Sequence, residues 1–232
     1  MSILEMNKVN VFIGKARILE DLSLVVNKEE FVALLGRNGS GKTTTLKTIM
    51  NLVHPSSGNI KFNGIDITGK KPFEIARLGI GYVPDDRRIF PNLTVRENLE
   101  IARRKSEERG FDIKEIYSIF PVLKSYENKL GIYLSGGQQK MLALARALMS
   151  NPHLILLDEV CEGLAPKVVS EICKTVGELK KEGVAIILSD QNARFARELC
   201  ERVYVLERGV VRWEGTMNEL WKNEEILKYL TV

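Results

Sequence analysis

The chain has 232 residues, 44% of them apolar and 28% charged, enough to bury a substantial interior as one large domain or as a core with an inserted subdomain. Its 34 basic and 30 acidic residues are interspersed, so a net charge of +4 and a pI near 8.9 reflect no basic stripe, and no nucleic-acid partner is expected. No apolar run approaches the ~18 residues of a spanning helix, the start MSILEMNKVN lacks the layout of a secretion signal, and Cys161, Cys173 and Cys200 are too isolated for a disulfide framework or a zinc site.

In chain order, ILEDLSLVVNKEEFVALLG begins with polar–apolar alternation and turns at 27–30, which predicts antiparallel strands. It ends in FVALLG (31–36), a short run without alternation, as expected of a strand buried on both faces of a parallel sheet. Directly after it, GRNGSGKT (36–43) matches G-x-x-x-x-G-K-[ST] and opens the helical stretch KTTTLKTIMNL. Gly36, Gly39 and Gly41 let the backbone close around phosphate oxygens with N–H groups inward, and the helix N-terminus adds positive dipole charge. Lys42 can reach β- and γ-phosphates, and the Thr43 hydroxyl can ligate Mg²⁺. With Asn38, Ser40 and Thr44, the loop is assigned to a nucleoside triphosphate.

His54 and His153 each adjoin a proline and read as surface residues. A charged, helical character covers 94–126, so a helical subdomain is expected over roughly 93–150, with the charge run 103–109 as a solvated helix face or loop. LSGGQQK (134–140) then opens an amphipathic helix whose polar side is marked by Gln139, Arg146 and Ser150. Ser135 suits the N-cap, leaving free N–H donors at the helix start as a second phosphate-binding device. LILLD (154–158) and VAIILSD (184–190) are further buried strands, separated by a helical stretch over 167–181, and RVYVLERGVVRWEG reads as a hairpin turning at 208–209. Alternating strands and helices imply an α/β core.

Taken together, the 36–43 loop, LSGGQ and the acidic end of LILLDE resemble the ATP-binding subunits of ABC transporters over nearly the whole chain. The resemblance implies a single domain, 1–232, with a P-loop NTPase core of mainly parallel sheet, an antiparallel β subdomain and an inserted helical subdomain. It makes 36–43 the Walker A loop and LSGGQ, with Ser135, Gly136, Gly137 and Gln138, the signature that contacts ATP held by a partner cassette. Asp158 would hold Mg²⁺ through water and Glu159 would polarise the attacking water. An adenine-stacking aromatic is expected near residue 13, where Phe12 is the candidate and a core-facing aromatic the alternative. Implied partners are an identical or different ATPase chain, two transmembrane permease subunits and a periplasmic or extracellular solute-binding protein, placing the chain peripherally at the cytoplasmic side of the membrane.

Departures from the general pattern narrow the resemblance. Asp85 stands where most members carry the Mg²⁺-sensing glutamine and, as an acid, could still serve the metal; Gln191 stands for the switch histidine and can donate an uncharged amide hydrogen bond to the γ-phosphate; Ala165 stands for an aspartate after Walker B. With EGLAP, DRRIFPNLTV and DQNAR, these features look like the F-type ATPases of branched-chain amino-acid importers, with urea or short-chain amide importers close behind. Val160 replaces a proline expected after Glu159, which loosens the turn without removing a catalytic atom. A DNA-linked ATPase would need a long coiled-coil insertion or added domains, while a regulatory, weakly hydrolysing subunit is opposed by intact Lys42, Asp158 and Glu159 and kept open by Val160 and Gln191.

Overall fold

Two sheets and a layer of helices meet around two apolar cores in the computed structural model, which describes residues 1–104 and 110–230. The N-terminal strands β1 (Ser2–Ile13) and β2 (Ala16–Asn27) pair antiparallel and continue through β4 (Ser57–Phe62) to β5 (Ile65–Asp66) in the order β2-β1-β4-β5. Between them in sequence, β3 (Phe31–Leu35) leads into α1 (Lys42–Ile49), with the expected turn preceding it. The second sheet runs β10-β9-β3-β8-β7-β6 and includes β6 (Ile80–Val83), β7 (Leu154–Asp158), β8 (Ala185–Asp190) and β9 (Arg202–Glu207) in parallel. Only β10 (Val210–Thr216) is antiparallel, closing a hairpin on β9 through the left-handed Arg208 and Gly209.

The unbroken apolar runs follow from a sheet covered on both faces. Phe31, Ala33 and Leu35 enter one core with Ile155, Leu157, Ile186 and Leu188, while Val32 and Leu34 enter the other with Leu154, Leu156 and Ile187. The second core is shared with the antiparallel sheet. The first is roofed by α3 (Val95–Glu100), α4 (Ile113–Ile119), α5 (Pro121–Ser125), α6 (Gly136–Met149), α7 (Pro166–Glu178) and α8 (Ala193–Leu199). α2 (Pro72–Arg77) and the terminal α9 (Met217–Leu220) and α10 (Glu224–Leu227) complete the chain. No described helix is long and apolar enough to cross a membrane.

Among the described residues, helices α3 to α6 occupy the interval of the expected helical subdomain. Helix α3 stops at Glu100, and Arg103 and Arg104 are exposed just beyond the turn at 101–102; the rest of the 103–109 charge run lies outside the described residues. The polar side of α6 is not a solvent face. Gln139 Nε2 donates to Gly131 O at 3.1 Å, and Arg146 donates to Arg88 O at 2.6 Å, so that side anchors neighbouring backbone. His54 and His153 are exposed, whereas Cys173 and Cys200 are buried as small apolar fillers.

Candidate active site

The parallel register brings four strand ends to one edge. Leu35 pairs with Asp190, Asp158 pairs with Ser189, and Val83 pairs with Leu157, so the segments leaving β3, β8, β7 and β6 emerge together. This carboxyl edge is where open α/β sheets place ligands.

From β3 the chain enters the 36–43 loop. Gly41, at φ 106°, is the N-cap of α1, and a Cβ there would lie 2.8 Å from Leu19 Cδ2, so only glycine fits. The helix start has no side-chain cap, leaving its N–H donors for a ligand. The Ser40 N–H donates to Arg37 O at 3.1 Å, and Ser40 O accepts from Gly209 N at 2.8 Å, tying the loop to the β9–β10 turn. Ser40 Oγ is buried without a hydrogen-bond partner. Asn38 and Gly39 are exposed, Gly36 is buried, and Thr44 is half-buried on the first turn. Lys42 is only 4% exposed and donates from Nζ to Gly36 O at 2.8 Å and Arg37 O at 3.1 Å.

Asp158 is fully buried at the end of β7, and three hydroxyls converge on it. Thr43 Oγ1 (3.0 Å) and Ser189 Oγ (2.6 Å) donate to Oδ1, and the Tyr82 hydroxyl (3.2 Å) donates to Oδ2. Burial pushes the Asp158 carboxyl above its ordinary range despite these donors, and the negative charge of Asp85 adds to the push. Burial and the Asp158 carboxylate likewise drive the Tyr82 phenol far upward, so it stays a donor. Hard oxygens of Thr43 and Asp158 in direct contact suit a small divalent cation.

Glu159 has left-handed backbone, φ 46°, a conformation that costs a non-glycine residue roughly 1–2 kcal/mol. Its N–H donates to Ser189 O at 3.0 Å, and its Oε1 lies 3.2 Å from Lys42 Nζ. Burial and contact with the Glu162 carboxyl raise the Glu159 pKa, while Lys42 pulls it down. Gln191, just beyond β8, donates from Nε2 to Glu162 Oε1 at 3.4 Å. A cavity of about 530 Å³ opens beside these groups, lined in part by Glu159, Cys161, Glu162, Asp190 and Gln191. The structure therefore brings together Lys42, Thr43, Asp158, Glu159 and Gln191.

Other candidates stand apart. Ser135 Oγ accepts from Gln138 N at 3.3 Å while Gln138 Oε1 accepts from Ser135 N at 2.9 Å, a capping box that closes on itself at the start of α6. Gly136 lies against the Arg87 guanidinium, and Gly137 is pressed so closely on Val168 that a Cβ would lie 2.7 Å from its Cγ1. Phe12 is 49% exposed opposite Arg17 at the β1–β2 end, so it is not a core-facing aromatic. Asp85 is exposed and accepts from Asp86 N at 2.9 Å; it reaches Asp158 through its field.

Several contributors carry no motif. Tyr82 and Ser189 complete the cage around Asp158, and only strand pairing puts them there. Arg87 and Arg88, both with positive φ, form a strained turn after Asp85. Arg87 donates to Gln139 Oε1 at 2.8 Å, and the Arg146 guanidinium lies 4.5 Å from the Phe90 ring centroid, so the turn is fastened to α6.

Residues 19–162 match the model of the ABC transporter family. The high-affinity branched-chain amino acid transport ATP-binding protein BraG of Pseudomonas aeruginosa is 39% identical, covering 96% of this chain and 97% of its own. The lipopolysaccharide export system ATP-binding protein LptB of Haemophilus influenzae is 35% identical over 97% of this chain and 95% of its own. Among solved structures, a dimeric post-hydrolysis state of the ATP-binding cassette MJ0796 bound to ADP and Pi superposes with a TM-score of 0.80 at 26% identity, covering 92% of this chain and 98% of that one.

Proposed function

The chain belongs to the ABC transporter family of ATP-binding subunits, and from that premise we propose that it powers an importer of branched-chain or related amino acids. It is an ATP hydrolase of this family. The observation that carries the assignment of the site is the meeting of Lys42, from the 36–43 loop, with Glu159 at 3.2 Å, beside Thr43 and Asp158 at 3.0 Å. A phosphate-binding cation, an acid poised as base and a cation-binding pair thus share one edge, which suits a reaction driven by positioning and charge.

In this reading the 36–44 backbone and Lys42 hold the ATP phosphates, and Phe12 offers its exposed ring to adenine. Glu159 accepts the proton of the attacking water, and Gln191 donates an amide hydrogen bond near the γ-phosphate. Thr43 and Asp158 would hold Mg²⁺, which neutralises phosphate charge when bound, with Asp85 adding negative field from the same end. In the same reading Ser135 to Gln138 contact ATP held by a second cassette; within this chain Ser135 and Gln138 cap each other. Two permease subunits and a solute-binding protein complete the importer, with the chain peripheral on the cytoplasmic side.

The similarity to BraG favours amino-acid uptake over the urea, DNA-linked and regulatory alternatives, and the similarity to LptB keeps lipopolysaccharide export as a second reading. Reconstitution with candidate membrane subunits and a solute-binding protein tests the choice. ATP-driven leucine accumulation is expected in the vesicles; accumulation of urea alone, or ATP turnover with no solute uptake, overturns the substrate.

A further inference from the structure

The turn that carries Glu159 is strained, and its sequence supplies no proline to stiffen it. Glu159 is left-handed, Val160 is 3% exposed and not among the positive-φ residues, and Gly163 turns the chain again before α7. Strain of this kind persists only where the surroundings over-determine it. Part of that determination comes from α6. Lys140, one turn into the helix opened by Ser135, is 6% exposed and donates from Nζ to Glu159 O at 2.8 Å and to Glu162 O at 3.2 Å. One ammonium thus bridges the two ends of the turn, whose Glu162 N–H also donates to Glu159 O at 3.2 Å.

We propose that Lys140 is a positioning residue for the base: its bonds to the Glu159 and Glu162 carbonyls hold the turn in the conformation that aims the Glu159 carboxylate at Lys42 and the phosphate site. The proposal rests on Glu159 serving as the base, as assigned above. The partners of the ammonium are neutral carbonyls, so it gains no buried ion pair; burial accordingly pulls its pKa below the ordinary lysine value. A methionine would fill the same space at less desolvation cost, so what the lysine adds is a pair of directed donors. The same side chain also ties the start of the signature helix to the catalytic turn, so displacement of α6 is felt at Glu159.

The test compares Lys140→Met, Lys140→Arg and Glu159→Gln in the full chain assembled with its ATPase partner. For Lys140→Met we expect kcat to fall roughly 10–100-fold, the scale of lost hydrogen bonds to a charged group, with the KM for ATP changed less than about threefold. Amide exchange over 158–164 should quicken while that of β3 and β8 is unchanged, and Lys140→Arg should recover a substantial part of kcat. Wild-type kcat in Lys140→Met, or loss of kcat together with ATP binding and protection throughout the sheet, overturns the positioning role. If Lys140→Met does not fold, Lys140→Gln decides: an intermediate kcat at unchanged KM supports the proposal, and a wild-type kcat sinks it. Glu159→Gln separates the two levels. Turnover surviving there refutes the base itself; turnover lost there but normal in Lys140→Met refutes only the role of Lys140.

Discussion

Glu159 sits between opposing influences. Burial and the neighbouring Glu162 carboxyl favour its protonated form, and the Lys42 ammonium favours the ionised form that can accept a proton. Because its pKa is raised overall, activity is lost as pH falls through that raised value. Glu162→Gln removes one raising influence, so the acid limb of the kcat profile should move to lower pH; an unmoved limb, or one displaced upward, would show that Glu162 does not act on the base. Lys42, Thr43, Asp158 and Glu159 were legible in the sequence because fixed spacing next to strand-like runs marks them. Tyr82, Ser189 and Lys140 were not, since ordinary residue types acquire their roles only when strand register and helix packing carry them to the acids.

At the scale of elements, the segment after β6 is held by helices on both sides. Asn98 on α3 is fully buried and accepts from Phe90 N at 2.9 Å, while donating to Phe90 O, Leu93 O and Thr94 O at 2.9 to 3.1 Å. From the other side Arg146 and Gln139 of α6 hold Arg88 O and Arg87. Asn98→Ala strands several buried backbone groups and should cost about 2–4 kcal/mol, read in a chemical-denaturation curve, while ATP binding at 36–43 stays within a few-fold. A change under 0.5 kcal/mol would mean that the loop holds itself. In the sequence, RENLE read only as a charged helix and the polar stripe of α6 only as an amphipathic face. Periodicity separates polar from apolar sides, but it cannot tell a side facing water from one facing the backbone of another segment.

Across the whole molecule, the two sheets share one core and are fastened by polar joints, of which the largest lies at Tyr204. The Tyr204 hydroxyl, buried on β9, accepts from Val25 N at 3.0 Å and donates to Val25 O at 3.1 Å on β2, and Arg202 adds donors to the Val25 carbonyl (2.7 Å) and to Glu30 (3.0 Å). Tyr204→Phe keeps the ring but removes the hydroxyl's two bonds to Val25, and should lower stability by about 1–3 kcal/mol, equivalent to a drop in Tm of roughly 2–12 °C for a chain this size. An unchanged Tm would show that the Tyr204 hydroxyl adds nothing to the join between the layers. The α/β class and the parallel core were readable from unbroken apolar runs; this joint was not, because it links residues far apart in sequence.

In the proposed reaction, the carboxyl edge of the sheet hydrolyses ATP with Glu159 as base. Steady-state ATP turnover by Glu159→Gln, measured beside its nucleotide affinity, tests it most directly. At least a 100-fold loss of kcat is expected, with ATP affinity kept within a few-fold, on the scale of removing general-base catalysis. Turnover at the wild-type rate would contradict it.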